Sequence, residues 1–125
     1  METKSESPES LSRLACVETS HKHLFAVAIT ADDGHDYFFS TAQFLDAQLE
    51  RSSGIHEDEK QAPERLLLRY ATAEILILGR SLSRLAYPLQ RGEVESLKPL
   101  GRRYAEVRQS GPVISSITVT RKTDL

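Results

Sequence analysis

The stretch from Glu64 to Leu78 (Glu-Arg-Leu-Leu-Leu-Arg-Tyr-Ala-Thr-Ala-Glu-Ile-Leu-Ile-Leu) constrains the fold more than any other. It is strand-like in composition but long for a single strand. Arg69 and Glu74 also interrupt it well short of the roughly 18 apolar residues a membrane span needs. Leu66, Leu68 and Tyr70 hold one parity, whereas Ile75 and Ile77 hold the other. Because successive side chains on a strand point to opposite faces, the slip means that the chain turns or bulges between Tyr70 and Glu74. The expectation is a tight hairpin at Ala71-Thr72-Ala73, although the Gly or Asn such turns favour is missing. One bulged strand is the alternative.

A second ribbon precedes it. From His23 to Thr30, Phe25, Val27 and Ile29 share one face and Leu24, Ala26 and Ala28 the other. Both faces are apolar, which predicts a central strand with a close neighbour over the alanines. Asp33-Gly34 then supplies a strong short-range hairpin signal, since Gly accepts the positive φ of such turns, and Asp36 to Phe39 reads as the partner strand. Leu14 to Glu18 is too short to decide between a first strand and a lead-in.

Two helices are expected. Ser40 with Gln43 three residues on forms the capping-box pattern, and Phe39 with Phe44 matches a hydrophobic staple. Together they predict a helix from Thr41 to about Arg51 that buries Phe44, Leu45, Gln48 and Leu49. Ser81 would cap a second helix carrying Leu82, Leu85, Ala86 and Leu89, with a kink or restart at Pro88 and a stop at Gly92. Val94 to Lys98 reads as a short strand, residues 101–109 permit a third helix, and Val113 to Lys122 alternates like a half-buried strand near a sheet edge. The implied order is β-β-α-β-β-α-(β)-(α)-β. The expected fold class is therefore α+β, an antiparallel sheet of about five strands with two or three helices on one face.

A chain of 125 residues allows one compact domain, and 39% hydrophobic residues exceed what a disordered chain carries. The expected organisation is a disordered tail over residues 1–12, a single domain over 13–125, and a mobile charged loop over 52–63. A lone Cys16 has no internal disulfide partner and reads as a small buried hydrophobe. The first ten residues are acidic where a signal peptide would be basic and then apolar, so the expected address is the cytoplasm.

The chemistry is sparse. None of the common nucleophile, zinc-protease, redox or phosphate-loop motifs occurs. His21 and His23 stand about nine residues along the chain from Asp32, Asp33, His35 and Asp36, too far for one ion on an extended strand. Glu74 is the one carboxylate in a strongly apolar stretch, and an ion pair with Arg69 or exposure at a hairpin end suits it better than acid–base work. No metal, cofactor or catalytic residue is expected. Charge is divided unevenly: residues 1–62 carry five Lys/Arg against twelve Asp/Glu, and residues 63–125 carry eleven against six. The favoured function is a small non-catalytic module for protein interaction or self-association, with a homo-oligomer or a protein partner and no membrane. The alternative is an anion or nucleic-acid surface built from Arg80, Arg84, Arg102, Arg103, Arg121 and Lys122.

Overall fold

The computed structural model describes residues 16–51, 63–100 and 111–122. Eight strands run through them: β1 (Val17–Thr19), β2 (Ala26–Thr30), β3 (Asp36–Ser40), β4 (Phe44–Arg51), β5 (Glu64–Tyr70), β6 (Ala73–Arg80), β7 (Val94–Leu97) and β8 (Val113–Arg121). The longest helical stretch is a 3-10 turn, Leu82–Leu85, that continues into a short α1 (Ala86–Gln90). The strands form two four-stranded sheets, in the orders β1-β7-β2-β3 and β4-β5-β6-β8. The second sheet is antiparallel throughout, whereas the first contains one parallel pair, β2 with β7. Val27, Ile29, Phe39 and Leu97 from the first sheet join Leu66, Leu68, Ile75, Ile77, Ile114 and Ile117 from the second in one buried core.

This overturns the expected α+β arrangement of one sheet shielded by two or three helices. The largest departure is at Thr41–Arg51. The Ser40 cap does form, with Ala42 N–H donating to Ser40 Oγ at 3.3 Å, but it starts a single 3-10 turn, Thr41–Gln43. Phe44 then returns to extended backbone and β4 begins. Local capping gives way here because Asp46, Gln48 and Glu50 alternate with Ala47 and Leu49, a period of two. That pattern pairs residue for residue with β5, from Asp46 opposite Arg69 to Arg51 opposite Glu64. The two staple phenylalanines flank Tyr70 instead of closing a helical turn, with ring centroids at 5.0 Å for Phe39 and 5.4 Å for Phe44. The same corner carries the chain from the first sheet to the second.

Both expected hairpins form, but the first strand begins at Ala26 rather than His23, and Phe25 is 87% exposed instead of sharing the buried face of Val27 and Ile29. β2 and β3 pair around a turn with Gly34 at φ 86°. β5 and β6 pair from Glu64 opposite Gly79 to Tyr70 opposite Ala73, joined by Ala71-Thr72. Neither turn residue has a positive φ. Both are tied down from outside: Ala71 N–H donates to Gln43 O and Lys122 N–H to Thr72 O, each at 2.9 Å. β2 is central in its sheet, and β8 is at an edge.

Two local corrections follow. β8 does not alternate strictly: its register against β6 jumps between Leu78 and Gly79, so Ile114 and Ile117 are both fully buried despite their opposite parity. Gly79 sits at that jump because a Cβ there would fall 2.0 Å from Val113 O. Ser81 does not cap the helix; it lies at φ 57° with no side-chain cap bond. Glu64 does that work, its Oε1 accepting Leu82 N–H at 2.6 Å and its Oε2 accepting Arg51 Nε–H at 3.1 Å. Pro88 falls within the first turn of α1, where its missing N–H is not required.

Along β8 the two sheets are stitched together. Asp32 N–H donates to Ile117 O at 2.8 Å, while the Asp32 carboxylate accepts Ile117 N–H at 3.0 Å and the Ser116 hydroxyl at 2.7 Å. Cys16, 3% exposed, places its Sγ 3.3 Å from Ile114 N, and Leu100 N–H donates to Ile114 O at 2.7 Å. Burial pushes the Cys16 thiol pKa up, against smaller lowering effects from the Ile114 N–H and Lys98. It is the buried small residue that was expected. The expected tail, the 52–63 loop apart from Pro63, and the undecided 101–109 segment lie outside the described residues. No helix among the described residues is long and apolar enough to cross a membrane.

Candidate functional site

Among the described residues β4 pairs only with β5, and the register assigns its two faces. Asp46, Gln48 and Glu50 stand opposite Arg69, Leu67 and Arg65 on the outer face of the sheet. Ala47 and Leu49 stand opposite Leu68 and Leu66 on the core face. Leu68 is fully buried and Leu66 is 5% exposed, yet Ala47, beside them on the same face, is exposed and Leu49 only half-buried. Among the described residues, nothing covers the core above β4.

The other wall of the opening is the helical stretch. Leu82 and Leu85 turn into the core, while Ala86 is exposed and Leu89 half-buried. Between the walls lies an open slot of about 240 Å³, lined mainly by the apolar Phe44, Ala47, Leu49, Leu66, Ala86 and Leu89, with Ser83 and Gln90 as its polar members. Phe44, Leu89 and Gln90 also line an adjoining hollow of about 120 Å³, which runs on past His23, Val27, Thr41, Tyr70, Gly92 and Val94. The helical wall is held at its start by Glu64, which is 8% exposed and anchors Leu82 N–H.

Two polar side chains mark the inner hollow. Tyr70 is 2% exposed and its ring is gripped by Phe39 and Phe44, but its hydroxyl has no hydrogen-bond partner among the described residues. Burial alone pushes its pKa up to about 12. His23 lies over Gly92, with Nδ1 3.3 Å from Arg91 O; a Cβ on Gly92 would fall 2.5 Å from the imidazole.

The electrostatics of β4 run in rows across the sheet. Arg69 bonds Asp46 at 2.8 Å and faces Glu74 on its other side, and Arg65 approaches Glu50 at 3.9 Å. The Asp46 carboxylate, then the Glu74 charge, hold the Arg69 guanidinium above its usual pKa. These contacts join the acid-rich first half of the chain to the base-rich second half, so part of the charge asymmetry is neutralised within the fold.

The residues singled out as an anion surface are distributed. Arg80 ends β6 opposite Val113, with Arg84 exposed on the following 3-10 turn. Arg121 is opposite Ala73 at the other end of β6, on the order of 20 Å away at about 3.3 Å per residue. Its guanidinium lies over the Tyr37 and Phe39 rings, 5.3 and 6.0 Å from their centroids, and Lys122 follows it at the β5–β6 turn. Arg102 and Arg103 lie outside the described residues. Glu74 faces Arg69 on the outer face of the sheet. No three His, Cys, Asp or Glu side chains come together as a metal site among the described residues.

Sequence reasoning missed Ala47, Ala86, Leu89, Tyr70 and Glu64 as parts of one place. A signal was available in Asp-Ala-Gln-Leu-Glu, whose strict alternation on a two-residue period competes with the helical reading. Nothing in the sequence brings that segment opposite Ala86. Comparison with known protein families, with curated proteins and with solved structures finds no match to this chain.

Proposed function

We propose that this chain is a non-catalytic binding module that takes up a protein partner in extended form along the free side of β4. The reading is carried by Ala47, a core-facing residue that is nevertheless exposed because nothing among the described residues covers the slot beneath it. An edge strand offers a row of unpaired backbone N–H and C=O groups, and an added strand gains affinity from them and specificity from pockets under alternate side chains. β4 supplies eight residues of edge, and the slot supplies the pocket. An anion or nucleic-acid surface has less support, since Arg80 and Arg84 stand a strand length away from Arg121 and Lys122 and Arg121 is engaged with two aromatic rings.

Panning a random eight-residue peptide library against the protein and against Ala86→Trp, which fills the slot from the helical wall, tests this. Peptides enriched on the parent and lost on the variant are expected. Identical enrichment on both, or none on either, would remove the slot from the reading.

A further inference from the structure

The charges around β4 specify the partner's chemistry, and this step rests on the reading of β4 as a docking edge. On the outer face, one row runs Glu74, Arg69, Asp46, alternating in sign from strand to strand and ending with a carboxylate at the open edge. The row at the other end of β4 finishes the same way, with Arg65 followed by Glu50. Between them Gln48 is the neutral outer residue of the strand. The residues next in line on an added strand would sit about 5 Å from these carboxylates, the spacing at which opposite charges stabilise a cross-strand pair and like charges destabilise it. On the core face, the same added strand would project its alternate residues over Ala47 and Leu49 into the apolar slot.

We infer that β4 receives an extended peptide segment in which basic residues alternate with aliphatic ones. The basic residues lie over Asp46 and Glu50, and the aliphatic ones fill the slot against Leu66, Ala86 and Leu89. A second copy of β4 does not meet this specification. Antiparallel pairing of β4 with itself must keep faces matched. Centring the pair on Gln48 sets Asp46 against Glu50 of the other copy, and centring it on Ala47 sets Asp46 against Gln48. In both cases the acidic rows approach one another and no cation is supplied.

The test uses the full chain and three fluorescein-labelled eight-residue probes: alternating Lys-Val, alternating Glu-Val, and a block of four Lys followed by four Val. Anisotropy titrations at low salt are expected to show the Lys-Val probe binding at least tenfold more tightly than either other probe. The variant Gln48→Glu should tighten it about threefold and Gln48→Lys weaken it by a similar factor, the size expected of an exposed charge pair. Both differences should shrink toward 1 M salt, where screening is nearly complete. Ala86→Trp should abolish binding while its circular dichroism spectrum stays that of the parent.

Equal binding of the Lys-Val and Glu-Val probes, still abolished by Ala86→Trp, overturns the charge specification and leaves the docking edge intact. Binding of the block probe as tight as that of Lys-Val, insensitive to Ala86→Trp, shows mere electrostatic adhesion and also overturns it. If no probe binds, light scattering and amide exchange identify the occupant: a dimer that Ala86→Trp dissociates places a second copy in the slot, and a monomer with protected β4 amides places another segment of the same chain there. Either result overturns the inference, and the second overturns the docking edge with it.

Discussion

The two edges of the β4–β5–β6–β8 sheet are finished in opposite ways. At β8, the backbone groups of Ile114 and Ile117 that face away from β6 are met by Asp32, Cys16 and Leu100, and both isoleucines are fully buried. At β4, no outward backbone group of Leu45 to Arg51 has a partner among the described residues, and Ala47 is exposed on the face where its β5 neighbour is sealed. A sandwich left open on both sides would lose its core. Closing one seam thoroughly lets the other stay open.

The largest effect expected from this contrast comes from trimming one apolar side chain on each side. Ile117→Ala in the closed seam should cost about 3–4 kcal/mol, whereas Leu49→Ala, at the half-covered strand, should cost about 1–2 kcal/mol. Urea unfolding of the two variants measures the gap; equal losses would mean that the open seam is not open in solution. A smaller effect is expected from Asp32→Ala, which removes the acceptor of Ile117 N–H and of the Ser116 hydroxyl and should cost about 1–2 kcal/mol. Cys16 reports that change directly. Its buried thiol, with a raised pKa, should react slowly with a disulfide reagent at pH 8 and roughly 5–30 times faster in Asp32→Ala, because labelling must pass through opening of the seam. An unchanged rate would place Cys16 outside the stitched region.

The smallest effect belongs to the open side. Tyr70→Phe removes a buried hydroxyl that has no partner, so stability should stay within about 1 kcal/mol of the parent, with a gain more natural than a loss. The parent carries a pH signature that the variant lacks. The unfolded phenol ionises near 10.0 and the folded one near about 12. Relative to phenylalanine, Tyr70 therefore carries no ionisation cost below pH 10 and destabilises the fold progressively as pH rises toward 12. Alkaline unfolding curves of the two proteins should diverge over that window, and coincident curves would mean that the hollow is wetter than the structure makes it.

The ribbons were legible in the sequence because their signals are local. The parity slip between Tyr70 and Ile75 and the Asp33-Gly34 step each locate a turn without knowledge of the partner strand. Cys16 and the edge strand Val113–Lys122 were legible for the same reason. The sandwich was not. At Thr41 a sound capping signal lost to pairing with β5, a partner whose position no local pattern discloses, and one misassigned segment turned an expected helical cover into an edge strand. The bulge that brings Ile114 and Ile117 to the same face depends on Gly79 meeting Val113, thirty-odd residues along the chain. The slot was illegible because its two walls, at Ala47 and Ala86, come together only through the fold. Of the surface arginines, the sequence showed their number but not that β6 holds Arg80 and Arg121 apart.

The position of β8 has a consequence for how the molecule comes into being. It is the last strand in chain order among the described residues, yet it completes the sheet beside β6 and fastens residues 85 and 98 positions upstream. As the polypeptide leaves the ribosome, β6 emerges with its far edge bare and must wait for some thirty more residues before a neighbour arrives. Such an interval favours capture by a holdase or pairing between nascent chains on one messenger. Holding β6 outside the ribosome while β8 is still within it should therefore lower the yield of folded protein.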